Sequence, residues 1–169
     1  KIWRLVISSL LFVPLGTYAL SYLDQRASVF LLGVIVLFYA LNSLFSLASP
    51  KLKHPAWVYF FGGIAGFLGG AFNASGPPVV IYVNSLDWNP QEFKGNLQAY
   101  ALVNGIGISI SHYFAGNITA AVLDNFWSTI PAIFIGVIAG ISMDRFLHPA
   151  RFKKVVLYLL ILLALRMIF

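Results

Sequence analysis

Long apolar runs separated by short polar turns constrain the fold of this chain more than any other feature. A run of about 17–25 apolar residues is long enough for a helix to cross the hydrocarbon core of a bilayer. Five segments fit this description: Ile2–Tyr22, Ser28–Ala48, Phe93–Phe114, Phe126–Met143 and Phe152–Phe169. Only 9% of the residues are charged, against about 25% in soluble domains. The sequence therefore predicts an all-α integral membrane protein, a helical bundle in the lipid bilayer, and excludes a soluble globular domain.

The segment Trp57–Leu86 differs from these runs because it is too long for one crossing and is interrupted. As one helix, its 30 residues would measure about 45 Å, more than the bilayer core of about 30 Å. Its middle, Asn73–Pro78, contains a glycine and two prolines, which favour an unwound backbone. We predict a helix over Trp57–Phe72, an unwound tip, and a short helix that begins near Pro77.

The Lys and Arg residues indicate how this broken segment meets the membrane, because cytoplasmic loops collect basic residues. A single crossing would divide them five to six between the two sides. A hairpin that enters and leaves on one side places nine together and leaves only Arg26 and Arg166 opposite. This distribution favours a re-entrant helical hairpin that enters from the cytoplasm. No basic face remains for phosphates, so no nucleic-acid partner is predicted.

An internal repeat is indicated when the chain is shifted by 124 residues, which aligns Trp3 with Trp127 and Gly16 with Gly140. Both copies contain a span, a short polar turn and a second span, and a re-entrant hairpin would make the two repeats inverted. The predicted first repeat is incomplete, and only its last two spans are present, in residues 1–48. A cytoplasmic linker, 49–56, precedes a complete second repeat, 57–169, with a broken hairpin (57–86) and three spans (93–114, 126–143, 152–169).

The tip of the hairpin, Asn73–Pro78, is the strongest candidate for a binding site. Unpaired backbone at membrane depth is tolerated only where protein buries it or where it lines a wet cavity. The N-terminus of the short helix favours an anion. We expect the backbone N–H groups around Ser75 and Gly76, next to Pro77, to bind an anion, with hydrogen bonds from the Asn73 and Ser75 side chains. A structural kink is the alternative.

The span Phe93–Phe114 carries a polar stripe at helical spacing. The stripe consists of Lys94, Gln98, Ala101, Asn104/Gly105, Ile108 and Ser111/His112. Asn104, near the middle of the span, either lines a substrate cavity beside the tip or holds helices together through hydrogen bonds. Gln98 is the second substrate-binding candidate on this span. The candidate helix-packing residues are Gly66, Gly69, Gly70 and Gly105.

The positions of the acidic residues argue against several kinds of chemistry. All five, Asp24, Asp87, Glu92, Asp124 and Asp144, lie at segment ends, so no mid-membrane carboxylate is available for a proton relay or a cation path. This is consistent with an anionic substrate. The chain has no HExxH, GxSxG or phosphate-binding loop and no cysteine, so we predict no enzymatic activity, no metal site and no cofactor.

From about Gly62 onward, the sequence resembles the TauE/SafE family of membrane permeases, the sulfite exporter family. The resemblance is carried by Gly66-Phe67-Leu68-Gly69-Gly70, Gly76-Pro77-Pro78-Val79-Val80, Glu92-Phe93-Lys94, Pro131 with Gly136 and Gly140, and Pro149-Ala150-Arg151-Phe152-Lys153-Lys154. Where the family often has Gly-Gly before the glycine of the proline pair, this chain has Asn73-Ala74-Ser75, so its tip is more polar.

The resemblance implies a secondary transporter in a bacterial inner membrane. Its substrate would be a small anion, a sulfur-containing oxyanion or an organosulfonate, moved by alternating access between two related halves. A second copy of the chain, in a homodimer, is a further partner that the sequence leaves open. The alternative function is a non-transporting membrane scaffold or assembly subunit, in which the glycine-rich segment serves only packing.

Overall fold

A computed structural model describes residues 2–44, 52, 54–86, 88–144 and 149–169, and within these ranges the secondary structure is entirely helical. The helices are α1 (Trp3–Leu20), α2 (Gln25–Leu44), α3 (Ala56–Phe72), α4 (Gly76–Asn84), α5 (Pro90–Phe114), α6 (Ala120–Asp144) and α7 (Pro149–Ile168). In the described ranges, three segments are long and apolar enough to cross a membrane: Trp3–Leu20, Arg26–Leu44 and Ala120–Gly140. The predicted all-α integral membrane fold is confirmed.

The other two predicted spans also form helices, α5 and α7, with 25 and 20 residues. Both helices carry charged residues near their N-terminal ends, which lowers their hydropathy. Their crossing of the bilayer stays a prediction. The predicted end of the second span, 45–48, and half of the predicted linker, 49–56, lie outside the described residues.

Local sequence signals explain why two helices begin earlier than predicted. The Asn89 side chain accepts hydrogen bonds from the N–H groups of Gln91 and Glu92, and the Glu92 carboxylate accepts one from the Asn89 N–H. This capping box starts α5 three residues before Phe93. The first turn of α6 is supported by Thr119, whose carbonyl accepts from the Leu123 N–H. Polar residues at the ends of the apolar runs thus belong to the helices.

The predicted break between residues 72 and 78 is confirmed, because α3 ends at Phe72 and α4 begins at Gly76. Asn73 has a left-handed backbone with φ of 54°, which Asn adopts more readily than most residues. Its N–H donates to the Gly69 carbonyl and the next N–H, of Ala74, donates to the Leu68 carbonyl. The first is the bond of an αL C-cap, and together the two bonds satisfy the carbonyls of Gly69 and Leu68 at the end of α3.

After the break, the chain doubles back along α3. The Phe61 and Tyr82 rings stack with their centroids 5.9 Å apart, while Ser75 lies beside Gly69. A residue early in α3 therefore meets one late in α4, and a residue late in α3 meets one before α4 begins. The helices α3 and α4 run antiparallel and form a helical hairpin.

The directions of α1, α3 and α5 agree with this hairpin. Along α1, Ser9 and Val13 lie against Gly66 and Gly70 of α3. Ser9 and Thr17 of α1 bond to Asn104 and Ser111 of α5. Residue numbers rise together in both pairs of helices, so α1, α3 and α5 are parallel. A single crossing over 57–86 would reverse α5 relative to α3, and the parallel arrangement therefore supports entry and exit on one side.

The helices α2 and α7 form a second contact, at which Gly33 lies against Ala164 and Met167. Arg26, near the start of α2, lines the same cleft as Arg166, near the end of α7, so these two helices are antiparallel. A shift of 124 residues carries α2 onto 149–168, the bounds of α7. Equivalent helices that run in opposite directions support the inverted repeat, which stays a prediction.

Candidate functional site

A buried cluster of polar side chains joins α1 to α5 next to the hairpin tip. Ser9 is fully buried, and Tyr100 and Asn104 are 3% and 1% exposed. The Ser9 hydroxyl donates to Asn104 Oδ1 over 2.8 Å, and the Ser9 and Tyr100 oxygens are 2.7 Å apart. Such a cluster is stable in an apolar interior only because its members satisfy one another.

The hydrogen bonds of this cluster have a defined direction. Ser9 has one hydroxyl proton, which it donates to Asn104, so the Tyr100 hydroxyl is the donor to Ser9. In this arrangement the donations run from Tyr100 through Ser9 to Asn104.

Asn104 ends this chain with a donor that is not used. Its Nδ2 is buried and finds no hydrogen-bond partner in the described part of the chain. A Cβ built on Gly69 would lie 3.4 Å from this nitrogen and 3.2 Å from Ser75 Cβ, so the amide group faces the base of the tip. An unsatisfied buried amide costs about 1–3 kcal/mol. A buried donor without an acceptor is typical of a site that binds something else.

The hairpin tip adds backbone donors. The N–H groups of Ser75 and Gly76 donate to no acceptor in the described residues, and Gly76 and Asn73 are exposed. The next two residues, Pro77 and Pro78, have no N–H, so the first turn of α4 offers fewer donors than an ordinary helix N-terminus. The amides of Ser75 and Gly76 are therefore the main donors at the tip.

Two sequence-predicted site residues lie away from this cluster. Gln98 is exposed and hydrogen-bonds no described residue. Pro77 lines an apolar groove between α2 and the hairpin, together with Phe38 and Leu68. The structure brings Asn104, Ser75 and Gly69 together, but it gives Pro77 the role of starting α4 with a fixed φ.

The residues of the polar stripe on α5 differ in burial. Asn104 and Ile108 are buried, whereas Lys94, Gln98 and Ala101 are exposed. The buried face continues from Asn104 to Tyr100, one turn earlier, rather than to Ala101. Helical spacing allows both i−3 and i−4 neighbours. The sequence analysis did not consider Tyr100, whose hydroxyl meets Ser9 of another helix.

The four glycines expected to pack helices have different surroundings. A Cβ at Gly66 would collide with the Ser9 carbonyl, and one at Gly70 with the Val13 carbonyl. A Cβ at Gly69 would be in tight contact with Ile108. At Gly105, a Cβ would meet nothing within 4 Å, so the described residues provide no helix for it to pack against.

Sequence reasoning missed the hydroxyl groups of α1. Besides Ser9, Thr17 is 1% exposed and accepts a hydrogen bond from Ser111 of α5 over 2.9 Å. Thr17 and Ser111 line a cleft of about 730 Å³ between these helices. The signal was present on α3 as glycines four apart, Gly62, Gly66 and Gly70, which lie against Ser8, Ser9 and Val13 of α1. Close helix contacts in membranes favour such residues.

The arrangement as a whole offers hydrogen-bond donors and no charge. It contains the Asn104 N–H₂ group, the backbone N–H groups of Ser75 and Gly76, and the Ser75 hydroxyl. No acidic or basic side chain takes part in the hydrogen bonds among Ser9, Tyr100 and Asn104. Oxygen atoms of a small oxoanion are the acceptors that such donors fit. Fixed dipoles replace the hydration that the anion loses, and they do so without a permanent opposite charge.

Comparisons with known proteins identify the family of the chain. The sequence profile described as sulfite exporter TauE/SafE matches residues 1–167. A probable sulfite/organosulfonate exporter TauE of Cupriavidus necator is 26% identical over 167 residues, which cover 94% of this chain and 65% of that protein. A probable inner membrane transporter protein TsaS of Comamonas testosteroni is 26% identical over 150 residues, 87% of this chain and 62% of that protein.

This chain thus spans less than two thirds of the length of either relative. No solved structure matches it. The family profile covers nearly the whole chain. It includes α1, which precedes the motifs from Gly62 onward that carry the resemblance. The chain belongs to the sulfite exporter TauE/SafE family of membrane proteins.

Proposed function

We propose that this chain is the substrate-binding part of a secondary transporter that moves a small oxoanion across a bacterial inner membrane. The observation that carries the proposal is the unpartnered Nδ2 of Asn104, buried beside the hairpin tip where the Ser75 and Gly76 amides are also unpaired. The names of the two relatives favour a sulfur-containing oxyanion or an organosulfonate as the substrate class.

Alternating access is the mechanism that this geometry favours. Asn104 is sealed from solvent, whereas Asn73 and Gly76, on the other side of the tip, are exposed. An anion that reached the tip would contact Asn104 only after the tip moved away from α5. Inverted-repeat transporters commonly place substrate near mid-bilayer at broken helices and expose it to one side at a time.

The decisive experiment compares Asn104→Ala with Asn96→Ala in the purified protein. Asn96 lies on the same helix, and its Nδ2 donates to the Glu92 carbonyl, so it serves as a matched amide control. The readout is thermal stabilisation by sulfite, methanesulfonate and acetate. A hydrogen bond to a charged group contributes about 1.5–3 kcal/mol, so we expect Asn104→Ala to weaken oxoanion binding by about 10- to 100-fold and Asn96→Ala to leave it unchanged.

A further variant separates the side chain of Asn73 from its backbone. Asn73→Ala places alanine in the left-handed region, whereas Asn73→Gly keeps that conformation without strain. Weaker oxoanion binding in Asn73→Gly, at unchanged thermal stability, would assign the side chain to the site.

If wild-type protein binds none of these anions, or if Asn104→Ala binds them as wild type does, the transport proposal is rejected. A membrane scaffold, in which the glycine-rich hairpin serves packing alone, would then be the better interpretation.

A further inference from the structure

We infer that Ser9 of α1 is a positioning residue, whose hydroxyl orients the Asn104 amide so that its N–H₂ group faces the hairpin tip. The inference rests on the proposed function, because it assigns what holds the proposed anion donor in place. Ser9 does not itself contact the anion; it acts through Asn104.

An asparagine amide can take two orientations that exchange Oδ1 and Nδ2. In the observed one, Oδ1 accepts from Ser9 and Nδ2 faces Gly69 and the tip. In the reverse orientation, Oδ1 would face the tip, and its negative partial charge would repel an anion. The anion site therefore depends on which orientation is held.

Ser9 and Tyr100 together select the observed orientation. Ser9 Oγ lies 2.7 Å from the Tyr100 hydroxyl oxygen and 2.8 Å from Asn104 Oδ1, so when Tyr100 donates to Ser9, the single proton of Ser9 is left for Asn104. Of the two ends of the Asn104 amide, only Oδ1 accepts. Chains of hydrogen bonds polarise one another, so a donation from Tyr100 to Ser9 also makes Nδ2 a better donor.

The backbone around Ser9 holds its side chain in this place. Gly66 of α3 lies so close that an added Cβ would collide with the Ser9 carbonyl, and Ser9 is fully buried. The preceding residue, Ser8, has a different partner, the Tyr59 carbonyl at 2.8 Å. Two adjacent buried serines on α1 thus make hydrogen bonds of the same kind, but only one of them touches Asn104.

These neighbours provide a matched test with sulfite as the probe. In the purified protein, we expect Ser9→Ala to weaken sulfite binding at least about twofold, because the Asn104 amide is then free to turn its oxygen to the tip and only the fraction in the observed orientation binds. Ser8→Ala should leave sulfite affinity unchanged, since the buried Ser8 hydroxyl bonds to the Tyr59 carbonyl and does not touch Asn104. Binding is measured by titration calorimetry, and melting temperature is recorded for each variant.

A double-mutant cycle separates positioning from structural damage. In an Asn104→Ala background, Ser9→Ala should cause no further loss of sulfite affinity, because no amide remains to be oriented. If Ser9→Ala does not fold, Ser9→Cys takes its place; because its S–H is a weak donor of similar size, a smaller loss of sulfite affinity in the same direction is expected.

Wild-type sulfite affinity in the Ser9 variants, or an equal loss in the Asn104→Ala background, would overturn the positioning role while leaving Asn104 as the donor. Wild-type affinity in Asn104→Ala alone would instead reject the proposed site itself. The two failures are therefore distinguishable.

Discussion

The helices α1 and α6 are aligned by the 124-residue shift, yet their surroundings are opposite. In α1, 39% of the membrane-spanning window is buried, and in α6 none of it is. At the shifted positions of Ser9 and Val13, α6 has Ile133 and Val137, which are 51% and 53% exposed. Hydropathy is similar in the two spans, so burial here is decided by the partners of each helix.

The comparison also shows that the hydroxyl cluster is not repeated. Ser9 reaches Asn104 because α3 approaches α1 through glycines. The isoleucine at position 133 has no hydroxyl, so α6 could not orient an amide in the same way.

The largest expected effect concerns the directions in which α1 and α6 cross the membrane. Because the chain has no cysteine, Arg4→Cys and Ala120→Cys each introduce a unique thiol near the start of α1 and of α6. In inverted repeats, a membrane-impermeant maleimide should label them from opposite sides of oriented vesicles. His54→Cys, before the hairpin, should be labelled from the same side as Arg4→Cys.

Labelling of Arg4→Cys and Ala120→Cys from one side would contradict the inversion. It would also show that the hairpin segment crosses the bilayer, since an even number of crossings would then separate α1 from α6.

The second effect concerns glycine contacts on α3 and α6. Gly66→Ala drives a methyl group into the Ser9 carbonyl, and overpacking of this kind costs about 1–3 kcal/mol. Gly136→Ala on α6 meets nothing within 4 Å among the described residues, and alanine favours a helix by up to about 1 kcal/mol. Melting temperatures in detergent should therefore fall for Gly66→Ala and stay level or rise for Gly136→Ala. Equal falls would mean that α6 packs as closely as α1.

The smallest effect is expected from two threonines. Thr17→Val keeps the shape of a buried side chain but removes the acceptor for Ser111, which should lower the free energy of unfolding by about 1 kcal/mol. Thr129→Val removes an exposed hydroxyl that bonds only to the Asn125 carbonyl of its own helix, so its effect should stay within about 0.5 kcal/mol. Chemical denaturation in mild detergent measures both, and a larger loss for Thr129→Val would contradict the difference between the helices.

The sequence by itself determined the helices and the broken segment. The scarcity of charge and the lengths of the apolar runs require membrane helices, because backbone polar groups in lipid must be satisfied within the segment. The break at Asn73–Pro78 follows from local chemistry, since the prolines and the left-handed Asn73 act within one or two residues. The distribution of Lys and Arg favoured a hairpin over a single crossing, and the parallel α1, α3 and α5 support it.

Only the tertiary structure decided which polar groups meet. Helical spacing allowed either Ala101 or Tyr100 to share a face with Asn104, and the choice depended on where α1 lies. Ser9 is distant in the sequence, and no local pattern identifies its partner among the residues of α5. Close approach at Gly66 and Gly70 brings α1 against α3, and Ser9 of α1 reaches Asn104 of α5. The unpaired Nδ2 of Asn104 follows from these non-local contacts, because an amide end lacks a partner only after the helices around it have packed.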